Sequence, residues 1–407
     1  HPGLFAGKVG DMTRWVSMSF WSVSSLLLLG LAIGSPGEHA RVFANEAVAA
    51  DHYEASKAGA EVLAAGGNAA DAAAATMLAL GVVNPASSGL GGGGFALYYD
   101  AATGELSFLD FRERAPRASS ETMFEDSGQR PEGPANAPSQ LGGLAAGVPG
   151  EPAGIEALVH RFGKLTLREV VAPALRLAED GVQVSEALAK MGRAFDVQLR
   201  KDTVMSKWEL APGSTLRRPA LARVLRAFAE HGASVIYGGV IGTEMIEAVR
   251  ANGGIMTLDD LRAYRVRTRV PLETEAFGHR WFTAPPPSAG GFTMVQSLSI
   301  LQETVGDSPS YGAPLLHAMA ESWKGPFLDR QRYFGDPDQV IIPMQKMLAP
   351  SRIERRAELA GRDAAQPSAE YAMPVEWTRT RSTSPDNAGT THLCVVDRDG
   401  NVASVTT

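Results

Sequence analysis

Cysteine is almost absent from this chain of 407 residues: Cys394 stands alone. One thiol excludes an intrachain disulfide and any cysteine-based zinc site. The eight histidines are scattered. His317 and Glu321, one helical turn apart, come nearest to a ligand pair, but no third ligand stands near them in sequence, and a hydrogen-bonded helix face accounts for them. No block rich in Lys or Arg occurs and the net charge is −7, so a nucleic-acid partner has no electrostatic footprint. Internal repeats and low-complexity tracts are missing too. Long apolar runs are missing apart from one. Between Arg14 and Glu38 there is no charge, and "WSVSSLLLLGLAIG" forms an apolar centre. A basic residue, an apolar stretch and then small residues describe a secretory signal, with cleavage expected near "VFAN". An uncleaved membrane anchor is the competing reading, since the uncharged run is nearly long enough to span. Either way residues 1–44 are an export segment, and the folded part is expected in the periplasm or outside the cell. The first residue is His1, so Met12 can be the true start, with residues 1–11 as an upstream remnant.

What is present is globular: 44% hydrophobic and 20% charged residues, enough for two domains or one large core. "EASKAGAEVLAAGG" reads as a helix stopped by Gly66-Gly67. Asn68 can cap a second helix, "AADAAAATMLALGVV", with Asp71 in its first turn, where the helix dipole favours an acid. Its many alanines imply close packing on all sides, and Pro85 ends it. The glycine run Gly91–Gly94 suggests a phosphate loop, but the order is wrong. A nucleotide-binding glycine turn follows a strand and opens a helix, whereas these glycines follow a helix and open a strand. They suit a backbone passing close to a ligand or to another strand. Apolar runs on either side of Ala101–Gly104 read as a hairpin. Residues 117–145 read as a long loop, the next stretch to about Glu230 as helix-rich, and Thr257 as the cap of a short helix. "APPPSAGGFTMVQSLSIL" reads as a loop running into a helix. Gly325-Pro326 is expected to kink or break the following one, and residues 362–389 have linker composition. The chain closes on a second hairpin, Thr391–Asp397 and Asn401–Thr406, around an Asp399-Gly400 turn. A lone hairpin is marginal in water, so it must join a sheet.

Eight motifs occur in order: "GGNAADAAAATMLALGVVNPASSGLGGGGF", "LDFRERAP", "GVPGEPAGIEALVHRFGKL", "VIYGG", "GGIMTLDDLRAY", "PPPSAGG", "LDRQRYFGDPD" and "TTHLCVVDRDGN". Together, from about Ala44 to Thr407, they resemble the γ-glutamyltranspeptidase (glutathione hydrolase) family. The resemblance implies an α+β fold of the N-terminal-nucleophile hydrolase kind, an αββα sandwich in which two stacked antiparallel sheets lie between helical layers. It also implies a proenzyme that cuts itself between Gly389 and Thr390. The large subunit would then be residues 45–389, and Thr390 would open a small subunit that stays bound to it as a heterodimer. Only residues 390–407 of that small subunit would be present here. The sheets are therefore expected to be incomplete, and the chain by itself inactive.

The chemistry suits these residue types. A threonine hydroxyl is a weak nucleophile until a base takes its proton, and a free N-terminal amine, with a pKa of about 8, can be that base. In the uncut chain the same nitrogen is an amide and has no basicity, so cleavage creates base and nucleophile on one residue. Gly389 offers no side chain to obstruct attack on its carbonyl. Thr391 is adjacent, but the family places the nucleophile at the first threonine of the pair. By the same resemblance Arg112 of "DFRE" binds the α-carboxylate of the γ-glutamyl group. A planar guanidinium suits this task because it pairs with a carboxylate through two hydrogen bonds. Its alternatives are an ion pair with Asp110 or Glu113, and Arg114 is a decoy two residues on. Cys394 stands where relatives usually carry serine and is expected to be a small strand residue, not a reactive thiol. Ala289 replaces a common serine, and Gly325-Pro326 interrupts a helix that relatives keep regular. The expected reaction transfers a γ-glutamyl group from glutathione or another γ-glutamyl compound to water or to an amino-acid or peptide amine. It needs no cofactor and no metal. A cephalosporin (glutaryl) acylase of the same superfamily is the nearest alternative, and a non-catalytic homologue or fragment the other.

Overall fold

A computed structural model describes residues 43–125, 138–376 and 390–407. Residues 1–42 of the export segment and Gly389 therefore lie outside the described residues, and the folded unit runs over Glu46–Thr407. Among the described residues no helix is long and apolar enough to cross a membrane.

Ten strands follow in chain order: β1 (Ala47–Ala50), β2 (Gly94–Tyr99), β3 (Leu106–Phe111), β4 (Val182–Gln183), β5 (Thr215–Leu216), β6 (Arg267–Arg269), β7 (Leu272–Ala276), β8 (His279–Thr283), β9 (His392–Val396) and β10 (Val402–Thr406). The main helices are α1 (Tyr53–Ala64), α2 (Ala69–Val83), α3 (Glu151–Phe162), α4 (Leu167–Asp180), α5 (Glu186–Ala194), α6 (Pro219–His231), α7 (Val240–Ala251), α8 (Leu258–Arg262), α9 (Ala289–Val305), α10 (Ala313–Tyr333) and α11 (Pro350–Ala360).

One six-stranded sheet, in the order β1-β9-β10-β2-β3-β6, organises the molecule. Every pairing in it is antiparallel. The expected hairpin across Ala101–Gly104 is β2–β3. The terminal hairpin β9–β10 has inserted between β1 and β2, so both of its outer edges are paired, which is why a segment marginal by itself is ordered here. Strand β9 alternates: Leu393 and Val395 are buried against α2, while His392, Cys394 and Val396 face outward. Cys394 is thus an exposed strand residue, with its Sγ 3.4 Å from His392 Nε2. The described residues supply helices over one face of these central strands. Of the two large sheets expected to stack, they form one, accompanied by the ribbons β4–β5 and β7–β8.

Helix α2 is the central support, and all of its residues are buried. Asn68 caps it as expected, in a reciprocal box: the Asn68 side chain accepts from the Ala70 and Asp71 amides, and Asp71 accepts from the Asn68 amide at 3.1 Å. This satisfies donors that a buried helix start would otherwise leave unpaired. Alanine along the whole helix lets α1, α3, α4 and the sheet approach closely. Thr257 caps α8 in a second box with Asp260.

Two expectations need correction. Gly325-Pro326 does not break its helix: α10 runs unbroken from Ala313 to Tyr333. The glycine makes room, because a Cβ there would lie 2.5 Å from Arg356 Nε. The contacts of that buried arginine offset the backbone hydrogen bond a proline removes. The stretch read as linker is also partly anchored. Residues 368–371 form a 3₁₀ turn, and Tyr371 is buried with its hydroxyl donating to Glu321 at 2.7 Å.

Candidate active site

Antiparallel order alone brings distant segments to one end of the sheet. The start of β9, the end of β10, the start of β2 and the end of β3 all fall there. Thr390 precedes β9, Thr407 follows β10, the glycine run precedes β2, and Arg112 follows β3. Three strand spacings separate the β9 and β3 backbones, roughly 14 Å. A cavity of about 500 Å³ opens in this region, and both Thr390 and Arg112 line it.

Missing side chains help to make the space. A Cβ on Gly93 would lie 2.5 Å from the Phe111 carbonyl oxygen, and one on Gly94 would lie 2.1 Å from that of Thr406. Only glycine lets β2 enter between β3 and β10 here, as the sequence reading of close backbone approach requires. The Gly92 carbonyl then accepts the Gly150 and Glu151 amides at 2.8 and 3.0 Å, which ties the glycine run to the first turn of α3.

The two threonines are placed differently. Thr391 is buried, its backbone pairs in both directions with Thr407, and its hydroxyl donates to Asp51 Oδ2. Thr390 is exposed and lines the cavity. The arginines differ as well. Arg114 faces Asp338 at 3.8 Å and stacks over Tyr264. Asp110, the partner considered for Arg112, is instead bound by Arg269 Nε at 2.6 Å. Arg112 is held through its backbone, by the Asp110 carboxylate on its amide at 3.1 Å and the Tyr264 hydroxyl on its carbonyl at 2.8 Å. Its guanidinium lies over the Phe95 ring, and among the described residues no carboxylate pairs with it.

Two charged residues that the sequence reading did not single out also line the cavity: Glu151 and Arg218. Glu151 is buried in the first turn of α3. Its Oε2 accepts from the Thr407 hydroxyl at 2.5 Å, while Oε1 has no hydrogen-bond partner among the described residues. Burial raises its pKa to about 8, and the nearby Glu113 adds to the rise, against the Thr407 hydroxyl and the Gly89 amide. At neutral pH this group is mostly an uncharged acid. No sequence signal marked it, since an acid at a helix start is ordinary.

Among the described residues no cluster of His, Cys, Asp and Glu side chains is arranged to hold a metal. His317 meets the Arg362 carbonyl at 2.9 Å, and Glu321 is occupied by Lys324, Tyr371 and the Gln366 amide.

A sequence model described as gamma-glutamyltranspeptidase matches residues 55–407. The glutathione hydrolase proenzyme of Escherichia coli (strain K12) is 35% identical over 88% of this chain, which spans 62% of that relative's length. In structure, the γ-glutamyltranspeptidase of Pseudomonas nitroreducens matches with a TM-score of 0.73 at 32% identity, over 81% of this chain and 98% of the other. The cephalosporin acylase of Bacillus halodurans also matches, with a TM-score of 0.73 at 26% identity, over 92% of this chain and 68% of the other.

Proposed function

Since the chain belongs to the γ-glutamyltranspeptidase family, we propose that the protein is a self-processing γ-glutamyltransferase and glutathione hydrolase with Thr390 as nucleophile. The observation that carries this reading is the cavity shared by Thr390 and Arg112, which has no carboxylate partner among the described residues. In processing, Thr390 Oγ1 attacks the Gly389 carbonyl carbon, the Gly389–Thr390 C–N bond breaks, and the nitrogen takes up a proton to become the amine of Thr390. Water then opens the ester, leaving a Gly389 carboxylate and a free threonine hydroxyl. In turnover, that amine takes the hydroxyl proton as Oγ1 attacks the γ-glutamyl carbonyl. The proton passes to the departing amine, and water or an acceptor amine resolves the acyl-enzyme. Arg112 holds the α-carboxylate of the donor through its fork. The small subunit that begins at Thr390 stays bound to the large one, because its first two strands are the middle of the sheet. Residues 1–44 direct the protein out of the cytoplasm.

The acylase reading keeps the scaffold and the self-cleavage but needs a different donor; an unpaired Arg112 favours an α-carboxylate. Intact-mass spectrometry of the complete protein beside a Thr390→Ala control tests the proposal, followed by assays with a γ-glutamyl anilide and a glutaryl-cephalosporin. Two chains, the smaller starting at Thr390, an uncut control, and turnover of the anilide are the expected results. An uncut wild type, or turnover of the cephalosporin alone, would overturn it.

A further inference from the structure

Arg218 forms part of the cavity wall on the helical side, beside Leu221 and Leu225. Its guanidinium stacks over Trp208 at 5.0 Å, and Nη1 donates to the Gly81 and Val82 carbonyls at 2.5 and 3.4 Å. Those carbonyls belong to the C-terminal end of α2, whose partial negative charge offsets part of the cation. No carboxylate pairs with Arg218 among the described residues, and burial lowers its pKa only to about 10, so the charge persists at neutral pH. A half-buried cation without an anion is costly. The rigid fork has five donors, and these two hydrogen bonds use one nitrogen.

The cavity therefore carries one unpaired arginine after β3, another ahead of α6, and the threonine hydroxyl. A γ-glutamyl peptide carries one acid for each arginine, an α-carboxylate at one end and a C-terminal carboxylate at the other, with the scissile amide between them. We propose that Arg218 binds the carboxylate on the leaving side of the donor, so that the protein turns over γ-glutamyl peptides with a free C-terminus faster than the same peptides without one. This rests on the γ-glutamyl reading above and adds a specificity residue to it.

The test compares kcat/KM for glutathione and for glutathione amidated at its C-terminus, in the processed wild type and in Arg218→Leu and Arg218→Lys. The wild type should prefer the free acid by about 10- to 100-fold, as expected for a charge-assisted hydrogen bond. The preference should fall to near unity in Arg218→Leu and be partly retained in Arg218→Lys. If Arg218 only caps α2, the leucine variant loses thermal stability while keeping the preference, and the inference fails. Equal use of acid and amide by the wild type also overturns it, whatever the variants do, while leaving the γ-glutamyl reading intact. No turnover of either donor by the wild type would overturn that reading as well.

Discussion

Two clusters of charged side chains are compensated in opposite ways. Between α9, α10 and α11, Asp329 accepts from Arg352 at 2.6 Å, from Arg356 at 2.8 and 3.0 Å and from Gln296 at 3.2 Å. Arg356 also donates to Gln296 Oε1 and to the Tyr371 carbonyl. Every charge in that cluster meets an opposite charge or a carbonyl, although Nε of Arg352 and of Arg356 has no hydrogen-bond partner among the described residues. At the end of the large sheet, by contrast, the exposed Arg112 and the half-buried Arg218 have no carboxylate partner among the described residues, and Oε1 of the buried Glu151 has no hydrogen-bond partner among them. The first arrangement joins three helices. The second leaves a half-buried cation and a buried carboxyl only partly partnered around a cavity, which costs stability and is retained where a ligand completes the pairing.

Breaking each cluster in turn sharpens that contrast. The largest effect is expected from Thr390→Ala: complete loss of processing and turnover with an intact fold, read by mass spectrometry and circular dichroism. Residual cleavage at Gly389 would place the nucleophile elsewhere. Next, Arg356→Leu leaves Asp329 buried with its charge only partly met, and should cost about 3–5 kcal/mol in urea unfolding. A loss below about 1 kcal/mol would mean the helix cluster is no scaffold.

Glu151→Gln should have a smaller and pH-dependent effect. The carboxyl is held to about 8 in the folded state against 4.5 as its ordinary value, so the folded protein binds the extra proton between those limits. Its contribution is fully present below about 4.5, is lost as pH rises towards 8, and is constant above that. Relative to the glutamine variant, the wild type should weaken across this window by on the order of a few kcal/mol. Parallel stability curves would show a carboxyl that titrates normally. The smallest stability effect belongs to Arg112→Leu, within about 0.5 kcal/mol because no ion pair is lost, together with a rise in KM for γ-glutamyl donors. Clear destabilisation with unchanged KM would assign Arg112 to the scaffold instead.

Much of the fold was legible where the deciding interactions are local. The Asn68 box lies within one helical turn, the β2–β3 hairpin depends on its own turn, and the alanines of α2 announce close packing whichever neighbours supply it. Thr390 and Arg112 were singled out through ordered motifs, and both line one cavity. Glu151 and Arg218 were not, because nothing beside them in sequence sets them apart from ordinary helix-end charges. Gly325-Pro326 misled for the same reason: a local rule favours a break, and Arg356 is beyond its reach.

The sequence by itself determined several of the helices, the β2–β3 and β9–β10 hairpins, the caps at Asn68 and Thr257, and the family to which the chain belongs. Those depend on backbone preferences and side chains a few residues apart. Only the tertiary structure decided that the terminal hairpin occupies the middle of the sheet, that Thr390 shares a cavity with Arg112, Glu151 and Arg218, and which buried charges are paired. Burial and charge compensation depend on partners that chain folding brings together from distant parts of the sequence, and no local pattern encodes them.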